Sequence, residues 1–96
     1  MKRSANYRFR LYVAGETHNS VQARINLRAL CEAYLAGCYD IDEVDVLRNP
    51  NRALIDGIFI TPALIKLSPG GTRMIVGTLC DTNAVLIALG LGGGPP

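Results

Sequence analysis

The sequence predicts a single α/β domain of βαβαββα order. Three observations carry the prediction: an apolar alternation over Tyr7–Val13, a long helical stripe after it, and a second half in which Pro and Gly separate short apolar runs. With 96 residues, 49% of them apolar and 19% charged, the chain can enclose one core and has nothing left for a second.

Tyr7, Phe9, Leu11 and Val13 alternate with Arg8, Arg10 and Tyr12, the period of two that lays one apolar face on a core. Ala14 and Gly15 end this strand. Glu16 to Ser20 reads as a polar loop in which Asn19 caps a helix and Gln22 closes a capping box. The helix should run to about Ala36, burying Leu27, Cys31, Tyr34, Leu35 and Cys38, turning Arg24 and Arg28 to solvent and stopping at Gly37.

A second strand is expected at Glu43 to Leu47, where Val44 and Val46 alternate with acids. Asn49 is a good N-cap and Pro50 a good first helical residue, so a short helix should follow to about Asp56. Ala63 to Leu67 and Arg73 to Val76 form a hairpin about Ser68-Pro69-Gly70-Gly71, closed by Gly77. Asp81 or Thr82 caps a last helix over Asn83 to Leu89, and the Gly/Pro tail from residue 90 to 96 is expected to be flexible, leaving an ordered core of 7–89. This order is the topology of a thioredoxin-like sheet, and at the start of its third strand Thr61-Pro62 is a candidate cis bond.

A net charge of +2 comes from scattered cations rather than a basic run, which argues against nucleic acid. The longest apolar run, Ala84 to Leu91, is far short of the ~20 residues that span a bilayer. Met1 to Asn6 shows no leader pattern, so a cytoplasmic protein is expected. Cys31, Cys38 and Cys80 stand in no CxxC or metal-ligand spacing, so they are read as reduced thiols, with Cys31 and Cys80 buried in apolar stretches and no metal or cofactor expected.

The strand-to-helix loop, where this topology would hold a reactive thiolate, reads GETHNS and contains no cysteine. His18 with Ser20 and Glu16 offers no triad geometry, and SPGGTR lacks the order of a triphosphate loop. A non-enzymatic binding module is therefore expected. The competing reading, an oxidoreductase or stress protein acting through a thiol, would need Cys31 or Cys80 to support insulin reduction or peroxide turnover.

YRFRLYVAGETHNSVQA, DVLRNP, ITPALIK, IVGTLCD and VLIAL, in this order and spacing, resemble the KaiB family over Tyr7 to Leu89. The resemblance implies a circadian-clock-type protein that docks onto the N-terminal ring of a KaiC-like ATPase, with KaiA or a histidine kinase as further partners. It also implies two interconverting folds, a tetramer and a thioredoxin-like monomer, separated by a few kcal/mol.

Gly70 and Gly71 stand where the family often carries prolines, which is expected to favour the thioredoxin-like state here. The resemblance places partner contacts at Gln22, Arg24, Arg48, Asn49, Pro50 and Arg73, while the residue pattern itself gives structural roles to Gly15, Asn19, Thr61, Pro62, Gly77 and Asp81. Gln22 departs from an often basic position. The last helix lacks the usual charges and is nearly apolar all round, so it must bury more than one face, either by self-association as a dimer or tetramer or by lying deep in the monomer.

Overall fold

A computed structural model describes residues 7–90. The elements follow in the order β1 (Tyr7–Val13), α1 (His18–Tyr34), β2 (Tyr39–Asp45), α2 (Pro50–Ile55), β3 (Ala63–Ser68), β4 (Arg73–Val76) and α3 (Thr82–Ala88). The sheet order is β2-β1-β3-β4, with β1 and β2 parallel and the β1–β3 and β3–β4 pairs antiparallel. The expected βαβαββα order and hairpin are present. The tail expected from residue 90 lies, beyond Gly90 itself, outside the described residues.

The sheet is covered on both faces. On one side Phe9, Leu11 and Val13 pack with Ala23, Leu27, Leu30 and Cys31 of α1 and with Val85, Leu86 and Leu89 at α3. On the other, Tyr12, Val44, Ala63 and Ile65 pack against Ala53 of α2 and Ile58. Tyr12, which the alternation assigns to the polar face of β1, is therefore fully buried, because α2 converts that face into a second core.

Several sequence expectations need correction. β2 begins at Tyr39 and ends at Asp45, because seven consecutive residues pair with β1, from Tyr7 opposite Tyr39 to Val13 opposite Asp45. Asn19 does not cap α1; Thr17 is the N-cap, and Asn19 lies inside the helix. Ser20 decides this start: its buried hydroxyl accepts from the Ala14 N–H at 3.0 Å and from the Thr17 hydroxyl at 2.8 Å, which closes the loop two residues earlier.

Tyr34 is exposed rather than buried, because in the last turn of α1 it borders a surface groove beside Ala33, Leu79 and Thr82. Cys38 lies beyond the helix and is half-buried. Cys80 is exposed, since the chain turns at Leu79, which takes φ 65° to keep its own side chain in the core. Asp81 caps α3 as expected, accepting from the Ala84 N–H at 3.1 Å.

The Thr61-Pro62 bond is cis, and the Gly77 N–H donates to the Pro62 carbonyl at 2.9 Å, joining the hairpin's end to its start. α3 turns Val85 and Leu86 inward and leaves Ile87 exposed. Among the described residues, no helix is long and apolar enough to cross a membrane.

Candidate docking surface

The β1–α1 loop is built for structure. The Ser20 hydroxyl is engaged with Ala14 and Thr17, and His18 is an exposed first helical residue, so the two do not form a nucleophile–base pair. Burial pushes the Cys31 thiol up to about 12, which suppresses its thiolate, and Cys31 sits among core side chains rather than in this loop. The described residues contain no group of three or more metal-ligating side chains.

Beneath α2 lies a polar network that fixes this helix to the sheet. Arg10 on β1 stands opposite Asp42 on β2 and pairs with it at 3.0 Å, while its other arm reaches Asp56 at the end of α2 at 3.1 Å. Arg52 extends the chain of pairs by meeting Asp42 at 2.7 Å. Asp56 is held below the usual carboxylate range, first by the Tyr12 hydroxyl and then by Arg10. Partial burial raises Asp42, but the bonds from Arg52 and Arg10 outweigh it, and the net direction is down.

The N-terminal end of α1 meets β2 through a second ion pair. Arg24 pairs with Glu43 at 2.7 Å, with a second contact from its Nε, and reaches Glu16 at 3.4 Å. Arg24 is thus half-buried and neutralised locally rather than turned freely to solvent, as expected from spacing alone. Asp45 organises the turn after β2 by accepting from the Gly15 and Leu47 N–H groups at 3.1 and 3.0 Å. Gly15 takes φ 58°, a left-handed conformation that glycine adopts without the strain a side chain would bring.

The residues singled out for partner contact divide into groups. Gln22 and Arg24 lie on α1, and Arg48, Asn49 and Pro50 are exposed at the β2–α2 junction. Arg73 is not with them: it stands on β4, the strand at the opposite edge from β2. Asn49 is the N-cap of α2 by position but makes no side-chain capping bond.

Several exposed apolar side chains belong to residues the sequence reading passed over. Leu54 and Ile55 on the outer side of α2 are 65% and 83% exposed, and Phe59 and Ile60 in the following loop are 86% and 63% exposed. Phe59, Ile60, Met74 and Val76 rim a cleft of about 150 Å³ that reaches the outer strand of the hairpin. The signal lay in Ile58-Phe59-Ile60, an apolar run just before Thr61-Pro62 that belongs to no strand. Exposed apolar side chains gathered about one cleft, as Phe59, Ile60, Met74 and Val76 are, are characteristic of an interaction site.

Comparison with known proteins places this surface in context. The KaiB domain family matches residues 10–91. The chain belongs to the KaiB family. Over 85 residues it is 45% identical to the circadian clock oscillator protein KaiB of Gloeothece citriformis (strain PCC 7424), covering 88% of this chain and 80% of that one.

The KaiB of Nostoc sp. (strain PCC 7120 / SAG 25.82 / UTEX 2576) is 43% identical over 90 residues, or 94% and 83% of the two chains. This KaiB-family chain shares its fold with the N-terminal domain of Synechococcus elongatus SasA, at a TM-score of 0.74, 20% identity and coverage of 100% and 94%. Mitochondrial thioredoxin 3 from Saccharomyces cerevisiae gives a TM-score of 0.70 at 16% identity, covering 90% of this chain and 78% of that one. The expected thioredoxin-like fold is therefore observed, within a family of circadian clock proteins.

Proposed function

We propose that this chain is a non-catalytic regulatory protein that docks onto a KaiC-like ATPase ring through α2 and the apolar rim beyond it. The observation that carries this reading is the exposure of Leu54, Ile55, Phe59 and Ile60 on α2 and the loop after it, with α2 tied to the sheet by the Arg10–Asp42, Arg10–Asp56 and Arg52–Asp42 pairs. A large apolar anchor on a preorganised element loses little conformational freedom on binding, which is how a small interface gains affinity. Exposed Arg48, Asn49 and Pro50 lead into α2 and supply polar groups beside it, while Gln22 and Arg24 lie on α1, where Arg24 pairs with Glu43 of β2.

Membership of the KaiB family supports the choice of partner. The buried Cys31 and the engaged Ser20 hydroxyl support binding rather than turnover as the mode of action. KaiA, a histidine kinase and further copies of this chain are additional partners consistent with the reading.

The test is co-precipitation and surface plasmon resonance with the cognate KaiC-like ATPase, loaded in turn with ATP and ADP. Binding should depend on the nucleotide, and Phe59→Ser should weaken it at least about tenfold, as expected for an interface anchor, with an unchanged melting temperature. Undiminished binding by the Phe59→Ser and Ile60→Ser variants would remove this surface from the interface.

A further inference from the structure

Lys66 and Arg73 stand directly opposite each other in the β3–β4 pair. Residues so paired in an antiparallel ladder project from the same face, and like charges there repel. Lys66 is only 5% exposed. Among the described residues, the ion pairs involve neither cation.

The ammonium of Lys66 donates to the Pro69 carbonyl and, at 3.4 Å, to the Gly71 carbonyl, which among the described residues leaves its third proton for a further acceptor. Backbone carbonyls orient a buried cation but carry no net charge to balance it. Both side chains line one open cleft of about 370 Å³ between the hairpin turn and the end of α3, with Tyr7 at its side. The backbone at Gly70 and Gly90 borders the two cationic heads: a Cβ on Gly70 would lie 3.7 Å from Lys66 Nζ, and one on Gly90 would lie 3.6 Å from the Arg73 guanidinium. The carbonyl end of α3 eases part of the repulsion at Arg73, but only as a partial charge.

We propose that this cleft is a binding site for an oxyanion of the phosphate class, held between the Lys66 ammonium and the Arg73 guanidinium. Such a ligand is the complement this arrangement lacks: a compact multiple acceptor that takes the spare proton of Lys66, accepts the planar fork of Arg73 and cancels their repulsion. The site lies on the sheet face covered by α1 and α3, whereas the docking rim adjoins α2, so it stands independently of the docking reading. Its source is either free inorganic phosphate or the phosphate group of a nucleotide.

The isolated full-length chain, labelled with ¹⁵N, is titrated with inorganic phosphate, ATP and ADP, with chloride at matched ionic strength as reference. Saturable shifts of the Gly70, Gly71 and Gly90 amides are expected. Arg73→Gln, an exposed change that leaves the core intact, should weaken binding about tenfold or more, the loss of one charge-assisted contact. Lys66→Met should abolish it, with circular dichroism reporting whether that variant folds.

Saturation by phosphate alone identifies the free anion. Saturation only by a nucleotide, through the same amides, identifies its phosphate group. Absence of saturable shifts, a response equalled by chloride, or unchanged affinity in the Arg73→Gln variant overturns the proposal.

Discussion

The Tyr12 hydroxyl donates to Asp56 Oδ2 at 2.5 Å, with the Arg52 carbonyl 3.0 Å away, so the middle of β1 is tied to the last turn of α2. Tyr12 is fully buried, and its one polar atom is satisfied only because α2 ends above it. Position and stability of the candidate docking helix therefore meet in this pair.

Removing the hydroxyl tests that link. Tyr12→Phe should cost about 1.5–3 kcal/mol, the range for a hydrogen bond to a charged group, and Asp56→Ala should cost at least as much, since it also removes the Arg10 pair. Because the two changes cut the same bond, the double variant should lose less than their sum. Urea unfolding of the four proteins measures this cycle, and strict additivity would mean that the bond contributes nothing to stability.

Stability should fall in acid through the same network. Asp42 and Asp56 both have folded values below their ordinary 3.8. Their contribution is thus present above 3.8 and is lost as pH falls through the lower folded values. Tyr12 behaves in the opposite sense: burial, then Asp56, pushes it from 10.0 up to about 12, so its contribution is complete below 10 and disappears as pH rises toward about 12. Melting temperature measured against pH should drop at both ends, and Tyr12→Phe should flatten the alkaline limb.

The thiols should separate cleanly. Exposed Cys80 is expected to react with a disulfide reagent at a rate typical of an accessible cysteine. Cys31, buried and pushed up to about 12, should react only as fast as the protein opens globally. Mass-spectrometric mapping of labelled peptides over time reads this difference; early labelling of Cys31 would contradict its place in the core.

The second half of the chain should remain in the strand form in solution. Backbone chemical shifts over Ala63 to Leu67 are expected to be those of a β-strand, as in the thioredoxin-like arrangement with Gly70 and Gly71 in the turn. A helical pattern there, together with a tetramer in sedimentation, would show that the alternative fold of the family dominates this chain.

Much of this architecture was legible in the residues because it rests on local preference. The period of two in β1, the Asp81 cap, Pro50 at the start of α2 and the Gly-rich hairpin turn each act within a few residues of chain. Asn19 misled for the same reason. It has capping chemistry, but the Ser20 hydroxyl found partners at Ala14 and Thr17, and that loop closure set the helix start.

The amino-acid sequence alone determined the element order, the thioredoxin-like topology and the resemblance to KaiB, since periodicity, breakers and shared motifs are properties of the chain itself. Only the tertiary structure decided which faces are covered and which charges meet. Whether Tyr12 is buried, Arg24 is neutralised or Phe59 is left bare depends on residues tens of positions away. Arg10 meets Asp42, and Lys66 faces Arg73, only because the sheet register brings them together, and Arg10 meets Asp56 because α2 packs over β1. Burial and pairing are fixed by the three-dimensional neighbours of a side chain, which local sequence does not specify.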